Sequence, residues 1–326
     1  MSATTVGDLR DEPQEPKATQ LTQEPKATGE PQDARVNPRV TIGLPVYNGA
    51  EYIVETLESL LTQDSDEFEI IISDNASTDG TADICAEYIK RDPRIKYTRN
   101  AQNLGGAYNY SRLVELADGE YFKWASADDL CGPSFVSACA KVLDENPEVV
   151  LAYPQTMMID ADGNRLGINR SGMHLPWRQP WKRMHAFAKN RQLCNPCFGV
   201  IRTDVLRKTS LIQPYISSDI TLLAQLVLAG PIHEVPHVLF YRRVIDTSCG
   251  LGTLTPNEVR EWFDPNSSVG VKAPLMRVFW NIEGSILRAR LNPFAKLLTL
   301  VVFTAAWNKR LLRPHYFRVR KKLLRR

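Results

Sequence analysis

A fourfold alternation of short β-rich apolar runs with amphipathic stretches, between residues 40 and 125, constrains this chain most. Residues 40–44 (VTIGL) read as a buried strand. Residues 52–61 carry Tyr52, Ile53, Leu57, Leu60 and Leu61 at helical spacing. Residues 68–73 (FEIIIS), 95–98 and 121–125 read as three further strands, and 81–89 and 107–117 as the helices between them. Alternation of this kind predicts βαβ units on a mostly parallel sheet flanked by helices on both faces. Ligands of such sheets bind beyond the carboxyl ends of the strands.

Polar residues fall at those ends. Pro45-Val46-Tyr47-Asn48-Gly49 follows the first strand, and Asp74-Asn75-Ala76-Ser77 the second. Asn103-Leu104-Gly105-Gly106 lies beyond the third, and Ser126-Ala127-Asp128-Asp129 follows the fourth. Any one of these suits an ordinary turn or helix cap, but four in succession point to a binding edge.

Charge is unevenly distributed. Residues 1–38 hold five prolines, four basic and seven acidic side chains, and the near-repeat QEPKATQ/QEPKATG. With few apolar residues to bury, this stretch is expected to be a disordered tail. It shows no basic segment followed by an apolar run, so no signal peptide is expected. Residues 284–326 hold twelve Lys/Arg and no Asp/Glu, so the net charge of +3 hides an acidic body with a basic end. Six cysteines in 326 residues argue against a disulfide scaffold and for a reducing compartment.

The segments TIGLPVYNGAEYIVETLESLLTQ, IIISDNASTDGTADI and RNAQNLGGAYNYSRLVELADGEYFKWASADD resemble the nucleotide-sugar domain of family-2 glycosyltransferases with the GT-A fold. The resemblance covers residues 39–248 and extends to the order and spacing of all four loops. It implies a GT-A catalytic domain over 39–250, with a nucleotide-sugar half (39–130) and an acceptor half (131–250), and a helical, basic, amphipathic extension over 251–326. Pro45, Tyr47 and Asn48 match the loop that packs on the nucleoside base. Asp74 matches the acid that hydrogen-bonds the base, with Ser77 in the same turn; Asn103 and Gly105 match the pocket wall. Asp128 matches the last acid of the Asp-x-Asp signature that holds a divalent metal, Mg²⁺ or Mn²⁺, on the sugar-diphosphate, and Asp129, the acid that commonly follows it, is the second metal candidate. A hard cation on oxygen ligands suits a diphosphate leaving group. Two positions depart from the pattern: Ser126 stands where the signature has its first Asp, and Ile245 where a metal-binding His is common.

Asp219, after Ser217-Ser218 and before the apolar residues 220–229, matches the general base of an inverting transfer. Arg242 and Arg243 could contact the diphosphate, although strand alternation turns one of two neighbours away. Residues 160–164 read as a hairpin turn, and Cys194-Asn-Pro-Cys197 as packing cysteines beside an acceptor loop. Residues 171–191, rich in Trp, Arg and His, are expected on the acceptor side.

The uncharged run 297–307 is too short to span a bilayer, which needs ~20 residues. Basic and aromatic residues around it suit an interfacial helix on an anionic membrane surface. The expected protein is thus an inverting glycosyltransferase, cytoplasmic and peripheral at the inner membrane face, moving sugar from a nucleotide-diphospho-sugar to a saccharide or glycolipid. No nucleic-acid partner is expected. A nucleotidyltransferase is disfavoured because the first loop lacks a phosphate-binding cation. The alternative, motivated by Ser126 and Ile245, is a catalytically degenerate GT-A protein acting as a membrane-associated partner in glycan assembly.

Overall fold

In a computed structural model, residues 38–190, 194–245, 262, 263, 265 and 274–311 are described. The expectations for the N-terminal tail, for 246–248 and for the basic residues beyond 311 lie outside them. The elements in chain order are β1 Val40–Val46, α1 Ile53–Leu61, β2 Phe68–Asp74, α2 Thr81–Arg91, β3 Ile95–Arg99, α3 Gly106–Leu116 and β4 Tyr121–Trp124. Then come β5 Leu130–Cys131, α4 Phe135–Glu145, β6 Leu151–Ile159, β7 Arg165–Asn169, α5 Pro180–Lys189, a 3₁₀ turn Asn195–Phe198 and β8 Val200–Arg202. The rest is α6 Thr203–Leu206, α7 Ser218–Ala229, β9 Ile232–Arg243, α8 Pro274–Arg288 and α9 Pro293–Leu311.

The expected α/β fold is borne out as one nine-stranded sheet in the order β3-β2-β1-β4-β8-β6-β9-β5, with β7 on β6. β3, β2, β1 and β4 are parallel. Beyond β4 the sheet is mixed: β8 runs antiparallel to β4 and β6, β9 parallel to β6, and β5 antiparallel to β9. β1 and β2 are buried along their whole length, as a central strand covered on both faces must be.

Two apolar cores lie on the two faces. One joins Ile42, Leu44, Ile70 and Ile72 to Ile53, Leu57 and Leu60 of α1 and to Phe135 and Leu143 of α4. The positions 53, 57 and 60 form one stripe of α1. The other core joins Phe122, Trp124 and Leu113 to α7 and reaches Phe279, Phe303 and Trp307 of α8 and α9. α7 is buried almost all round, with Leu222, Ala224, Leu226 and Val227 inaccessible, and forms the rod on which α5 and α8 pack. The 160–164 turn joins β6 to β7 as expected: the Asp160 carboxylate accepts the N–H groups of Asp162 and Asn164.

Candidate functional site

The parallel strands end level with one another. Val46 lies opposite Asp74, and Asp74 opposite Arg99. Trp124 lies opposite Gly43, and the Ala125 N–H donates to the Gly43 carbonyl (2.9 Å). All four polar loops therefore open along one edge.

Hydrogen bonds between side chains and backbone stitch these loops together. Asp74 is fully buried. Its Oδ1 accepts the Ser77 N–H (2.8 Å), its Oδ2 accepts the Tyr97 hydroxyl (2.7 Å), and Arg99 Nε lies 3.5 Å away. Burial, then the Asp74 carboxylate, push the Tyr97 phenol above its ordinary range, so it stays a donor. Ser77 Oγ accepts the Asn48 N–H (2.9 Å), and Asn48 Oδ1 accepts the Thr78 N–H (2.8 Å), clasping the first loop to the second. Asn103 Oδ1 accepts from Asn75 Nδ2 (2.7 Å) and from the Gly105 N–H (2.9 Å), clasping the second to the third. Pro45 is buried inside β1 opposite Ser73, whereas Tyr47 is 49% exposed at the mouth.

Trp262 and Phe263 reach the same edge. A Cβ on Gly105 would sit 2.4 Å from the Phe263 carbonyl oxygen, and one on Gly106 2.9 Å from the Trp262 ring. The Trp262 ring also meets Tyr110 (centroids 6.0 Å apart). Sequence reading did not single out these two residues, because nothing local joins them to a loop far upstream.

The fourth loop separates its two acids. Asp128 keeps partial solvent access and accepts the Ser126 hydroxyl. Asp129 is buried, and its Oδ1 accepts the Arg243 N–H (2.8 Å). Burial, then the Asp128 charge, push Asp129 up to about 8. Arg243, also buried, spends its guanidinium on Asp128 O (2.9 Å), Ala161 O and the Glu55 carboxylate (2.7 Å), stacked on Tyr52 at 4.5 Å. Its donors are thus committed inside the protein.

Arg242 points elsewhere. It donates to Asn195 Oδ1 and lies 5.9 Å over the Phe198 ring. Its charge favours ionisation of both Asp129 and Asp219.

Asp219 is the second residue of α7, presented by Ser217 in a left-handed conformation (φ 67°). Its Oδ1 accepts the Ile220 N–H (2.9 Å). The Cys194 thiol donates to the same carboxylate, and Cys197 Sγ lies 3.9 Å from the Asp219 carbonyl oxygen. Burial raises Asp219 above the ordinary 3.8, while the Cys194 hydrogen bond and Arg242 pull it back. Burial also holds both cysteines well above the ordinary thiol value, so they remain protonated. Cys194 and Asn195 are site residues that their Cys-x-x-Cys spacing does not announce.

Helix α5 packs at the other end of α7. Arg183, buried, donates to the Val227 and Leu228 carbonyls at the far end of α7, and α5 packs on α9. The 12 residues of α7, roughly 18 Å, lie between that end and the site.

For a divalent cation, the described residues hold no cluster of three or more His, Cys, Asp or Glu. One partly exposed carboxylate beside a hydroxyl, at Asp128 and Ser126, suits a hard cation whose remaining ligands come from phosphate oxygens.

Among solved structures, the chain is similar to residues 1–349 of Staphylococcus aureus TarS in complex with UDP-GlcNAc (TM-score 0.61, 20% identity, 82% of this chain and 72% of that one). It is also similar to the mannosyltransferase PcManGT of Pyrobaculum calidifontis in complex with GDP-Man and Mn²⁺ (TM-score 0.51, 16% identity, 88% and 84%). Both likenesses concern the fold. Over 92 residues it is 39% identical to the putative teichuronic acid biosynthesis glycosyltransferase TuaG of Bacillus subtilis, covering 28% of this chain and 36% of that one. The chain spans less than half the length of the curated relatives it matches. Residues 41–212, more than half of the chain, match glycosyl transferase family 2, and the chain belongs to that family.

Proposed function

We propose that this protein is an inverting glycosyltransferase that moves a sugar from a nucleotide-diphospho-sugar to a hydroxyl of a saccharide or glycolipid. Residues 39–250 form the catalytic domain of this reading, with donor and acceptor halves meeting near residue 130, and 251–326 the extension. The observation that supports it is that Asp74 and the loop of Asp128 stand at the level ends of the parallel strands, while the charge of Arg242 acts on both Asp129 and Asp219.

In this reading Tyr47 borders the nucleoside with Pro45 buried behind it in β1, and Asp74, Ser77, Asn48, Asn103 and Gly105 shape its pocket. Asp128 would hold the divalent cation together with the donor phosphates, with Asp129 bracing it from behind. When bound, Mg²⁺ or Mn²⁺ supplies neutralisation of charge on the leaving diphosphate. Arg242 is the arginine available to phosphate, because Arg243 is engaged internally. The acceptor hydroxyl is oriented by Asp219, whose carboxylate takes its proton as the oxygen bonds to the anomeric carbon. The bond from that carbon to the diphosphate oxygen breaks on the opposite face, and the configuration inverts. Burial raises Asp219, while the Cys194 thiol and Arg242 favour its charged form, the form a base needs.

TuaG, named for teichuronic acid biosynthesis, supports a cell-surface glycan role. TarS and PcManGT, solved with UDP-GlcNAc and with GDP-Man and Mn²⁺, support a UDP- or GDP-linked donor and a divalent metal. No described helix is long and apolar enough to cross a membrane. Peripheral attachment at an anionic cytoplasmic face belongs to the same proposal. The test is hydrolysis and transfer from a panel of UDP- and GDP-sugars with Mg²⁺ or Mn²⁺. Turnover lost in Asp219→Asn supports the reading. Absence of turnover with every donor would leave the degenerate-partner alternative.

A further inference from the structure

The α8–α9 hairpin carries an apolar surface that the rest of the fold does not explain. Five of the six most exposed large apolar side chains among the described residues lie on it: Phe294 (75%), Trp280 (65%), Leu297 (62%), Leu287 (57%) and Val301 (56%). On α9 the spacing of 294, 297 and 301 forms one stripe, and on α8 so does that of 280 and 287. The inner faces are taken by Val278, Phe279 and Ile282 on α8 and by Phe303 and Trp307 on α9, so both stripes point outward.

Charge surrounds this surface with one sign. Residues 284–326 contain no acid, and neither do 171–191, the segment that includes α5. α5 packs on α9, and His185 of α5 is lowered first by burial and then by the charges of Lys189 and Lys309. The Glu283 carboxylate of α8 accepts the Thr304 hydroxyl of α9, turned into the hairpin.

We infer that α5, α8 and α9 together form a docking face for an anionic lipid bilayer. The two apolar stripes enter the boundary between headgroups and acyl chains, and Lys182, Lys189, Arg288, Arg290 and Lys309 meet the headgroup phosphates. This rests on the membrane reading above and changes it, moving the contact from a basic tail to a folded three-helix surface. A second copy of the chain fits this face poorly, because pairing it with itself would set basic rims against each other.

The test is co-sedimentation of the full chain with vesicles of phosphatidylcholine alone or with about one-third phosphatidylglycerol. Binding is expected only to the anionic vesicles, and should weaken strongly in half-molar salt. Lys182→Gln with Lys189→Gln should weaken it roughly 30-fold. Leu297→Glu with Val301→Glu should abolish it, while donor hydrolysis by both variants stays at the wild-type rate. The inference is overturned if the wild type ignores anionic vesicles or if either double variant binds them normally. It also fails if the surface instead mediates self-association that Leu297→Glu with Val301→Glu disrupts. Vesicle binding by a chain that hydrolyses no donor would sink the catalytic reading and leave this one standing.

Discussion

Gly105→Ala probes the donor edge most sharply. Gly105 caps α3 at φ 86° and ψ 156°, a region that only glycine occupies freely. Any side chain there costs ~1–3 kcal/mol in backbone strain alone. The new methyl would also stand 2.4 Å from the Phe263 carbonyl oxygen and 2.9 Å from Pro265 Cδ. Overpacking of this kind adds about 1–3 kcal/mol, unless the 262–265 segment swings away and surrenders the Trp262 contacts with Tyr110 and Gly106. Together these give a loss of roughly 2–6 kcal/mol, or a fall in Tm of roughly 4–24 °C. Gly163→Ala is the control. It also has a positive φ (84°), but nothing lies within 4 Å of its Cβ, so only ~1–2 kcal/mol is expected. Differential scanning calorimetry of both variants, with donor KM measured beside it, separates strain from collision. Equal Tm values for the two variants would refute the close packing of Phe263 on Gly105. A wild-type Tm for Gly105→Ala would refute the backbone conformation as well.

Asp219→Asn should lower kcat by ~10²–10⁴-fold with Tm nearly unchanged, as steady-state rates and calorimetry would record. Because the base works ionised and burial raises its pKa, kcat/KM should fall with decreasing pH at an acid limb above the ordinary aspartate value of 3.8. Cys194→Ala should move that limb higher by removing the thiol donor, and Cys194→Ser should restore it; a pH–rate series reads both. Asp74→Asn removes the charge behind two hydrogen bonds in a fully buried turn, so urea unfolding should report a loss of about 2–3 kcal/mol at unchanged m. Asp128→Asn, at a partly exposed position, should leave stability within ~0.5 kcal/mol but raise the Mn²⁺ concentration that gives half-maximal turnover.

The polar edge at the ends of β1 to β4 was legible because its signal is local. Period and composition mark β1 to β4, and the polar loops follow each strand end within a few residues, so the ends could be named before their register was known. The acid ahead of α7 was legible for the same reason. The surroundings of Asp219 were not, since Cys194, Cys197 and Arg242 are far from it in sequence and come to it only through the order β8-β6-β9. β8 is three residues long, too short for any period to show, yet it is where the sheet turns antiparallel. Alternation separated Arg242 from Arg243 but pointed to solvent for one of them. In fact Arg243 is held inside by carbonyls at 128 and 161. The aromatic and basic composition of 171–191 fits sugar stacking as well as helix packing, and the packing of α5 on α7 and α9 is a tertiary contact that no local pattern shows.

Arg243 acts as a keystone. One guanidinium joins the last strand, the first helix, the acid loop and the β6–β7 turn, so those four pieces are locked before any substrate arrives. Asp128 is therefore aimed by its scaffold rather than by whatever it later grips. A neutral residue at 243 would keep the backbone bond to Asp129 but release the Asp128 carbonyl, the β6–β7 turn and Glu55, and the aim itself would drift.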